Sequence, residues 1–287
     1  MRCRLYGSIR SLLQVEYGTN GGNVLGKERA KKGPRQIVLP VKGPTRRAEE
    51  EMLMELVLLS TPGQWTQDGV VRSQEEEVAL VNALFEEGLP LFHLRKPMFS
   101  VTELKNWLSL VKPEYMERIS LHTFHDLVYE FPVGGIHTSE RQRQASDQGR
   151  HQQEFLLEQF PKLRLSSSFH TLSDLENAPK IYDYTFISPV FDSISRPHYK
   201  AGFSPEEIIE MLSNARNKVF ALGGICSQQI PEIVDMGFDG AGMLGAIWYS
   251  KNPIKELEKT MAIIAASAST SQSSSGAFEG SLALSSH

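Results

Sequence analysis

The residues of this sequence that could bind an anionic ligand lie directly after short apolar runs. The first group consists of cations and hydroxyls, and its members are Arg95, Lys96, Ser168, Ser193, Ser195 and Arg196. The second group is bounded by glycine and consists of Gly223 with Gly224 and of Leu244 with Gly245. Backbone N–H groups at such turns, beside a helix start, bind phosphate. The two groups together predict a phosphorylated ligand.

Histidine is the natural acid or base for chemistry near neutral pH, since its ordinary pKa is about 6.5. His170 is the candidate for that role, and His93, His122 and His137 are candidate substrate contacts. His137 also has a plain interpretation as a hydrogen-bonded core histidine. His122 lies three residues before His125, but no zinc spacing motif supports this pair, so we predict no metal site.

Strand-like apolar runs alternate with helix-like segments along the chain. The eight predicted strands cover residues 55–60, 89–94, 118–122, 134–137, 163–168, 184–190, 218–222 and 240–244. Helical segments are predicted at residues 73–87, 101–111, 171–178, 205–215, 227–236 and 253–265, in a short stretch ending at 129 and in a polar region ending at 160. Ser100 and Glu103 have the spacing of a helix capping box.

Eight strands that alternate with eight helices predict an α/β fold of the (β/α)8 TIM barrel class. An open doubly wound sheet is disfavoured, because no glycine-rich dinucleotide loop follows the first strand. In such a barrel the carboxyl ends of all strands meet at one mouth, so we expect the anion-binding residues and histidines to converge there.

Charge and composition divide the chain into three parts. Residues 1–50 hold 11 Lys and Arg against 4 Asp and Glu, and we interpret them as a basic, disordered extension. Residues 266–287 contain nine Ser and are predicted to be a flexible tail. Residues 51–265 remain for the barrel. Their acidic balance argues against a nucleic-acid partner for the barrel but leaves one open for the extension.

The sequence predicts a protein of a reducing compartment, and we expect it to be cytoplasmic. Cys3 and Cys226 lie in contexts too different to suggest a disulfide framework, and no apolar run approaches the length of a membrane span. A homo-oligomer is left open by the sequence.

Four stretches of residues 53–264 resemble the superfamily of thiamine-phosphate synthases and TenI-like thiazole tautomerases. They are residues 91–96 (LFHLRK), 135–138 (GIHT), 188–196 (SPVFDSISR), and 221–225 (ALGGI) with its continuation 237–248 (GFDGAGMLGAIW). The synthases join a pyrimidine diphosphate to a thiazole phosphate, and diphosphate departs with magnesium. The resemblance therefore implies a transferase of thiamine biosynthesis whose ligands are phosphorylated thiazole and pyrimidine.

The resemblance also implies roles for single residues. Arg95 and Lys96 would bind the departing diphosphate, and Ser168 would contact the pyrimidine or the diphosphate. In the sixth loop, Ser193 and Ser195 would replace the family's threonines, and Arg196 would replace its lysine. The thiazole phosphate would be held by the two glycine-bounded turns, at Gly223, Gly224, Leu244 and Gly245.

Two departures from the family pattern concern magnesium. After the third strand the family has Asn-Asp where this chain has His122-Thr123, and after the fourth strand it has a second aspartate where this chain has Gln142. Neither Thr nor Gln supplies the carboxylate charge that magnesium prefers. The hypothesis that follows is weak or altered synthase activity. The alternatives are a tautomerase that uses His170, a non-catalytic binder of a thiamine precursor, and a phosphate-binding isomerase or epimerase.

Overall fold

Parallel strands hydrogen-bond into a closed ring in the computed structural model, which describes residues 54–145, 147–192 and 201–276. The barrel strands are β1 (Glu55–Leu59), β2 (Leu91–Leu94), β3 (Ile119–Leu121), β4 (Gly135–Thr138), β5 (Arg164–Phe169), β6 (Tyr184–Ile187), β7 (Lys218–Leu222) and β8 (Gly240–Met243). β1 closes the ring, because it pairs in parallel with both β2 and β8. The predicted TIM barrel is therefore confirmed, and each predicted strand has its counterpart.

Helices follow the strands around the outside of the ring. They are α1 (Gln74–Glu86), α2 (Val101–Ser109), α3 (Glu140–Ala145), α4 (Asp147–Gln159), α5 (Leu172–Glu176), α6 (Pro205–Asn214), α7 (Ile230–Met236), α8 (Gly245–Trp248) and α9 (Pro253–Gly276). Short 3₁₀ turns cover Pro113–Arg118, His125–Tyr129 and Ser227–Gln229. The capping box of Ser100 and Glu103 is present at the start of α2. No helix in the described ranges is long and apolar enough to cross a membrane.

Two details differ from the sequence expectations. Helix α9 continues to Gly276, so its predicted end at Ala265 is too early. Ala and Ser are both compatible with a helix, and their low complexity alone does not end one. A small hairpin pairs Thr66–Gln67 with Val70–Val71 and was not predicted. Residues 1–53 and 277–287, and with them the predicted extension and the tail beyond α9, lie outside the described residues.

The core has two layers, as a closed barrel requires. The outer layer packs the helices against the strands, for example through Trp107, Phe92 and Trp248. The inner layer is a separate cluster inside the ring, formed by Val57, Leu59, Leu91, Tyr184, Phe186 and Phe220. These residues belong to β1, β2, β6 and β7. The inner face of β3, β4 and β5 is polar instead, and this difference gives the barrel interior a polar side.

Lys96 belongs to the outer layer and not to the mouth. Its side chain is fully buried, and its Nζ lies 2.7 Å from Oε1 of Glu77 in α1. The Lys96 ammonium also donates to Thr61 Oγ1 at 3.1 Å and to the Gly63 carbonyl at 2.7 Å. All three of its protons therefore have acceptors inside the protein. The predicted role of Lys96 in binding diphosphate is wrong, because no part of its side chain is accessible.

Burial acts on both members of this ion pair. It raises the pKa of the Glu77 carboxyl, while the Lys96 charge opposes that shift. It lowers the pKa of the Lys96 ammonium, while Glu77 opposes that shift. Removing one partner leaves the other charged group buried and uncompensated, which costs more than the pair itself contributes.

We expect Lys96→Met to lower the free energy of unfolding by about 3–5 kcal/mol, because Glu77 is left buried without its partner. The double variant Lys96→Met with Glu77→Leu should recover most of that loss. Urea unfolding of the single and double variants measures both effects. As a control, Lys105→Met breaks the exposed pair with Glu130 and should cost less than about 1 kcal/mol. Equal losses at the two sites would contradict a structural role for Lys96.

Candidate active site at the mouth of the barrel

Neighbouring strands β2, β3 and β4 bring three histidines together inside the barrel. Side chains along a strand alternate between its faces, so the inward positions of adjacent strands stack in layers. The register pairs His93 with Ser120 and His137 with Ser166, and His122 follows directly after β3. His93, His122 and His137 are 0%, 8% and 1% exposed, so all three are buried.

The three imidazoles contact one another and the inner aromatic layer. Nδ1 of His93 and Nε2 of His122 share a hydrogen bond of 2.9 Å. The other nitrogen of His93, Nε2, lies 2.6 Å from the Tyr184 hydroxyl. The rings of His122 and His137 are stacked with centroids 4.1 Å apart. The cluster therefore joins the polar side of the interior to its aromatic side.

Burial keeps these groups in their neutral forms. It lowers the pKa of His93 to about 3, and it lowers the pKa values of His122 and His137 well below the ordinary range. Positive charges add to this effect, and the contributing arginines are Arg164 for His93, Arg95 for His122, and Arg143 and Arg95 for His137. Burial also raises the pKa of Tyr184 to about 12. The cluster is an uncharged set of nitrogen donors at neutral pH.

β5 supplies hydroxyls on both sides of His137. Ser166 Oγ lies 2.9 Å from Nδ1 of His137, and Ser168 Oγ lies 2.8 Å from its Nε2. Arg143 of α3 donates to the Ser168 carbonyl at 2.6 Å and stacks its guanidinium 3.9 Å from the Phe169 ring centroid. Arg143 therefore holds the end of β5 and brings a cation to the mouth.

His170 lies just beyond β5 and is exposed. Its Nδ1–H donates to the Ser188 carbonyl at 3.0 Å. Glu140 Oε2 is 3.9 Å from its Nε2. The imidazole is thus oriented by a fixed hydrogen bond at the rim, and its role as acid or base stays a prediction.

The two glycine-bounded turns lie side by side, because β7 and β8 are paired. Gly223 and Gly224 have φ values of +96° and +70°, which side chains other than glycine rarely adopt. A Cβ at Gly224 would also lie 2.5 Å from the Asp192 carbonyl oxygen. After β8, Leu244 precedes the start of α8 at Gly245.

The backbone donors of these turns have no acceptor within the described ranges. The N–H groups concerned are those of Gly223, Gly224, Leu244 and Gly245. A buried or half-buried N–H normally has a partner, so four such groups on adjacent strand ends form a ready site for an anion. Close packing is a second reason for glycine at positions 223 and 224. Packing does not, however, provide acceptors for these N–H groups within the described ranges.

The positions at which the family resemblance places magnesium-binding aspartates hold Thr123 and Gln142. Gln142 Oε1 accepts from Ser139 N at 2.7 Å and from Ser139 Oγ at 2.6 Å, and its Nε2 donates to the His122 carbonyl at 3.1 Å. Thr123 Oγ1 is buried without a hydrogen-bond partner in the described part of the chain. Neither side chain offers a charged oxygen, so these residues do not fit Mg²⁺.

A different donor set is close enough to share one cation. One ring nitrogen from each of His93, His122 and His137 lies within 4.8 Å of the other two. We predicted no metal site from the sequence, because the spacing of the histidines along the chain follows no metal-binding motif. The structure nevertheless brings the three imidazoles into contact.

The remaining predicted site residues divide into two sets. Arg95 is exposed at the rim, and its backbone N–H donates to Ser60 Oγ at 2.8 Å. Ser193, Ser195 and Arg196 lie outside the described residues, so their predicted roles stay predictions. Tyr184 and Arg143 were not predicted to belong to the site. Tyr184 begins a predicted strand, and its inward direction follows only once the strand register is known.

Two cavities lie away from this cluster. One of about 910 Å³ opens at the amino-terminal end of the barrel. It is lined by Gly134, which precedes β4, and by Arg164, which begins β5. Another of about 290 Å³ lies between Arg143, Phe169 and Tyr182 outside the ring. Neither cavity is lined by the three histidines or by the glycine-bounded turns, which lie at the carboxyl ends of the strands, where catalytic groups of such barrels are found.

Comparisons with known proteins identify the family of this chain. The family model described as thiamine monophosphate synthase matches residues 66–247. The chain is similar to the thiamine-phosphate synthase of Listeria welshimeri, with 31% identity over 93 residues that cover 30% of this chain and 43% of the relative. It is 24% identical to that of Oceanobacillus iheyensis over 136 residues, which cover 47% and 62% of the two chains. The matched parts thus span less than two thirds of these relatives.

Solved structures give a longer match. Thiamine phosphate pyrophosphorylase from Bacteroides thetaiotaomicron is 30% identical with a TM-score of 0.57, over 74% of this chain and 98% of that one. The enzyme of the same name from Pyrococcus furiosus is 18% identical with a TM-score of 0.58, over 76% and 98% of the two chains, and shows the fold alone. From the family match and the similarity to the Bacteroides structure, we conclude that this chain belongs to the thiamine monophosphate synthase family.

Proposed function

We propose that this chain binds a thiazole phosphate at the turns after β7 and β8 and couples it to a pyrimidine only weakly. The observation that carries the proposal is the set of four backbone N–H groups without an acceptor in the described ranges, at Gly223, Gly224, Leu244 and Gly245. The relatives of this chain are named for thiamine phosphate, and its phosphate is an anion of the size that such backbone sites bind.

Positive charge at the mouth supports an anionic ligand. Arg95 and Arg143 both lie close enough to His137 to lower its pKa, so their fields reach the carboxyl ends of β2 and β4. Arginine suits phosphate oxygens because its guanidinium presents a planar fork of donors. The phosphate would be held by backbone and the rest of the ligand would face this positive rim.

Weak transfer follows from Thr123 and Gln142. A diphosphate leaving group develops negative charge as its bond to the pyrimidine breaks, and that charge must be stabilised in the transition state. The residues at these positions do not fit Mg²⁺, so arginines alone would supply the stabilisation. Binding would therefore be retained while turnover is reduced.

The phosphate site is tested by titrating the purified protein with thiazole phosphate and with the corresponding thiazole alcohol. The phosphate should bind at least about tenfold more tightly, since each charge-assisted hydrogen bond contributes about 1.5–3 kcal/mol. Gly224→Ala should weaken binding of the phosphate, because it moves the turn away from Asp192 and displaces its N–H groups.

The matched control is Gly237→Ala. Gly237 has a similar φ of +92° but lies at the end of α7 with open space around it, so the substitution imposes strain away from the site. Urea unfolding should show both variants folded. Equal affinity for the phosphate and the alcohol, or equal loss of phosphate binding in both variants, would contradict the proposed phosphate site.

Weak transfer is tested by incubating the protein with pyrimidine diphosphate, thiazole phosphate and Mg²⁺ and measuring the diphosphate released. The double variant Thr123→Asp with Gln142→Asp should raise this rate at least about tenfold, because carboxylates supply Mg²⁺ ligands beside the leaving group. Thr102→Asp with Gln144→Asp makes the same changes at exposed positions and should leave the rate unchanged. Robust Mg²⁺-dependent release of diphosphate by the unmodified protein would contradict the proposal that transfer is weak.

A further inference from the structure

We propose that His93, His122 and His137 form a binding site for a divalent transition-metal ion of the Zn²⁺ type. The site is built from nitrogen donors inside the barrel. Its donors differ from the side chains of Thr123 and Gln142, which adjoin His122 and stand where carboxylates would be needed for magnesium. The proposal concerns metal binding alone and does not depend on the proposed thiazole phosphate ligand.

The distances suit a shared ion. Zinc binds imidazole nitrogen at about 2.0–2.1 Å, so two nitrogens on one tetrahedral ion lie about 3.4 Å apart. Nδ1 of His93 and Nε2 of His122 are 2.9 Å apart, and one ring nitrogen from each of the three histidines lies within 4.8 Å of the other two. An ion would therefore spread the first pair by about 0.5 Å and draw the third nitrogen in by up to about 1.4 Å.

Proton counting favours an ion between these rings. A neutral imidazole has one N–H and one lone pair, so His93 and His122 face each other across a single proton. A metal ion between the rings would accept the lone pairs of both nitrogens once the shared proton has moved to the other nitrogen of its own ring. No proton is lost in this step, and each neutral ring keeps one N–H for another partner.

Hydroxyls stand where those remaining N–H groups would point. Tyr184 Oη is 2.6 Å from Nε2 of His93. Ser166 and Ser168 lie 2.9 Å and 2.8 Å from the two nitrogens of His137, so either nitrogen can bind the ion while the other keeps a hydroxyl partner. Metal-binding histidines almost always have an outer hydrogen bond of this kind, which fixes the ring and its tautomer.

The choice of ion follows from the donors. Three imidazoles suit Zn²⁺, Co²⁺ or Ni²⁺ and do not suit Mg²⁺ or Ca²⁺, which take oxygen ligands. Three protein ligands leave a fourth position open, which is the pattern of zinc sites that bind a water or a substrate group. The nearby arginines oppose a cation, and an anionic fourth ligand would offset their charge.

The experiment uses the full chain without an affinity tag, stripped with EDTA and titrated with Zn²⁺, with bound metal measured by mass spectrometry after gel filtration. Co²⁺ serves as a second probe through its visible absorption in tetrahedral sites. We expect about one ion per chain and a cobalt spectrum typical of tetrahedral nitrogen ligands. His122→Asn and His137→Asn should each abolish both signals, and Tyr184→Phe should weaken binding by about tenfold or more.

His170→Asn is the control, because it removes an exposed imidazole outside the cluster and should leave binding unchanged. Less than about a tenth of an ion per chain in the unmodified protein would overturn the site, since a three-ligand site should fill. Unchanged binding in the two cluster variants would overturn it equally. If those variants do not fold, ¹⁵N-histidine spectra of the unmodified protein decide. Zn²⁺ should then shift the ring nitrogens of three histidines, and no shift, or a shift confined to exposed histidines, would contradict the proposal.

Discussion

Closure of the parallel strands into a ring is the constraint on which the rest of this protein depends. Because β1 pairs with both β2 and β8, every strand delivers its carboxyl end to the same rim and alternate side chains to the same interior. Pairing of β2, β3 and β4 makes His93, His122 and His137 neighbours, and the curvature of the ring brings Tyr184 of β6 to His93. The same geometry places the two glycine-bounded turns side by side at the ends of β7 and β8.

The interior of the ring has two chemically different sides. Aliphatic and aromatic side chains of β1, β6 and β7 pack as an ordinary barrel core, whereas β3, β4 and β5 contribute hydroxyls and imidazoles. His93 lies between them and bonds to His122 on one side and to Tyr184 on the other. A buried polar network of this kind is stable only when its members are hydrogen-bonded, and its neutral imidazoles satisfy that condition without bringing charge into the core.

Much of the fold could be predicted from the sequence, because apolar runs with capped helices between them have a clear period. The eight strands were predicted with ends within about three residues of those observed. The capping box of Ser100, which depends on neighbouring residues only, was predicted correctly. The Asp68-Gly69 turn was an available signal for the small hairpin and was missed. The hydrogen bond between His93 and Tyr184 could not be predicted, because the distance between the two side chains is set by strand register across the ring.

Lys96 shows how local rules can mislead at a site. It follows Arg95 directly, and adjacent residues of an extended segment point to opposite faces. Only one of the two can face the mouth, and the structure directs Lys96 to Glu77 in the outer layer. Alternation of side-chain directions therefore predicts that Arg95 and Lys96 cannot both bind the same ligand. Residues whose role depends on a partner from another element gave no comparable sequence signal; an example is Arg143 of α3, which donates to the Ser168 carbonyl near the end of β5.

The central claim is that backbone N–H groups hold the phosphate of the ligand while Thr123 and Gln142 bind no magnesium. The most direct test is a crystal structure of the protein with thiamine phosphate and excess Mg²⁺. We expect the phosphate oxygens to lie within hydrogen-bond distance of the N–H groups of Gly224 and Gly245, and we expect no cation between Thr123 and Gln142. A phosphate bound elsewhere, or a magnesium ion coordinated by Thr123 or Gln142, would contradict it.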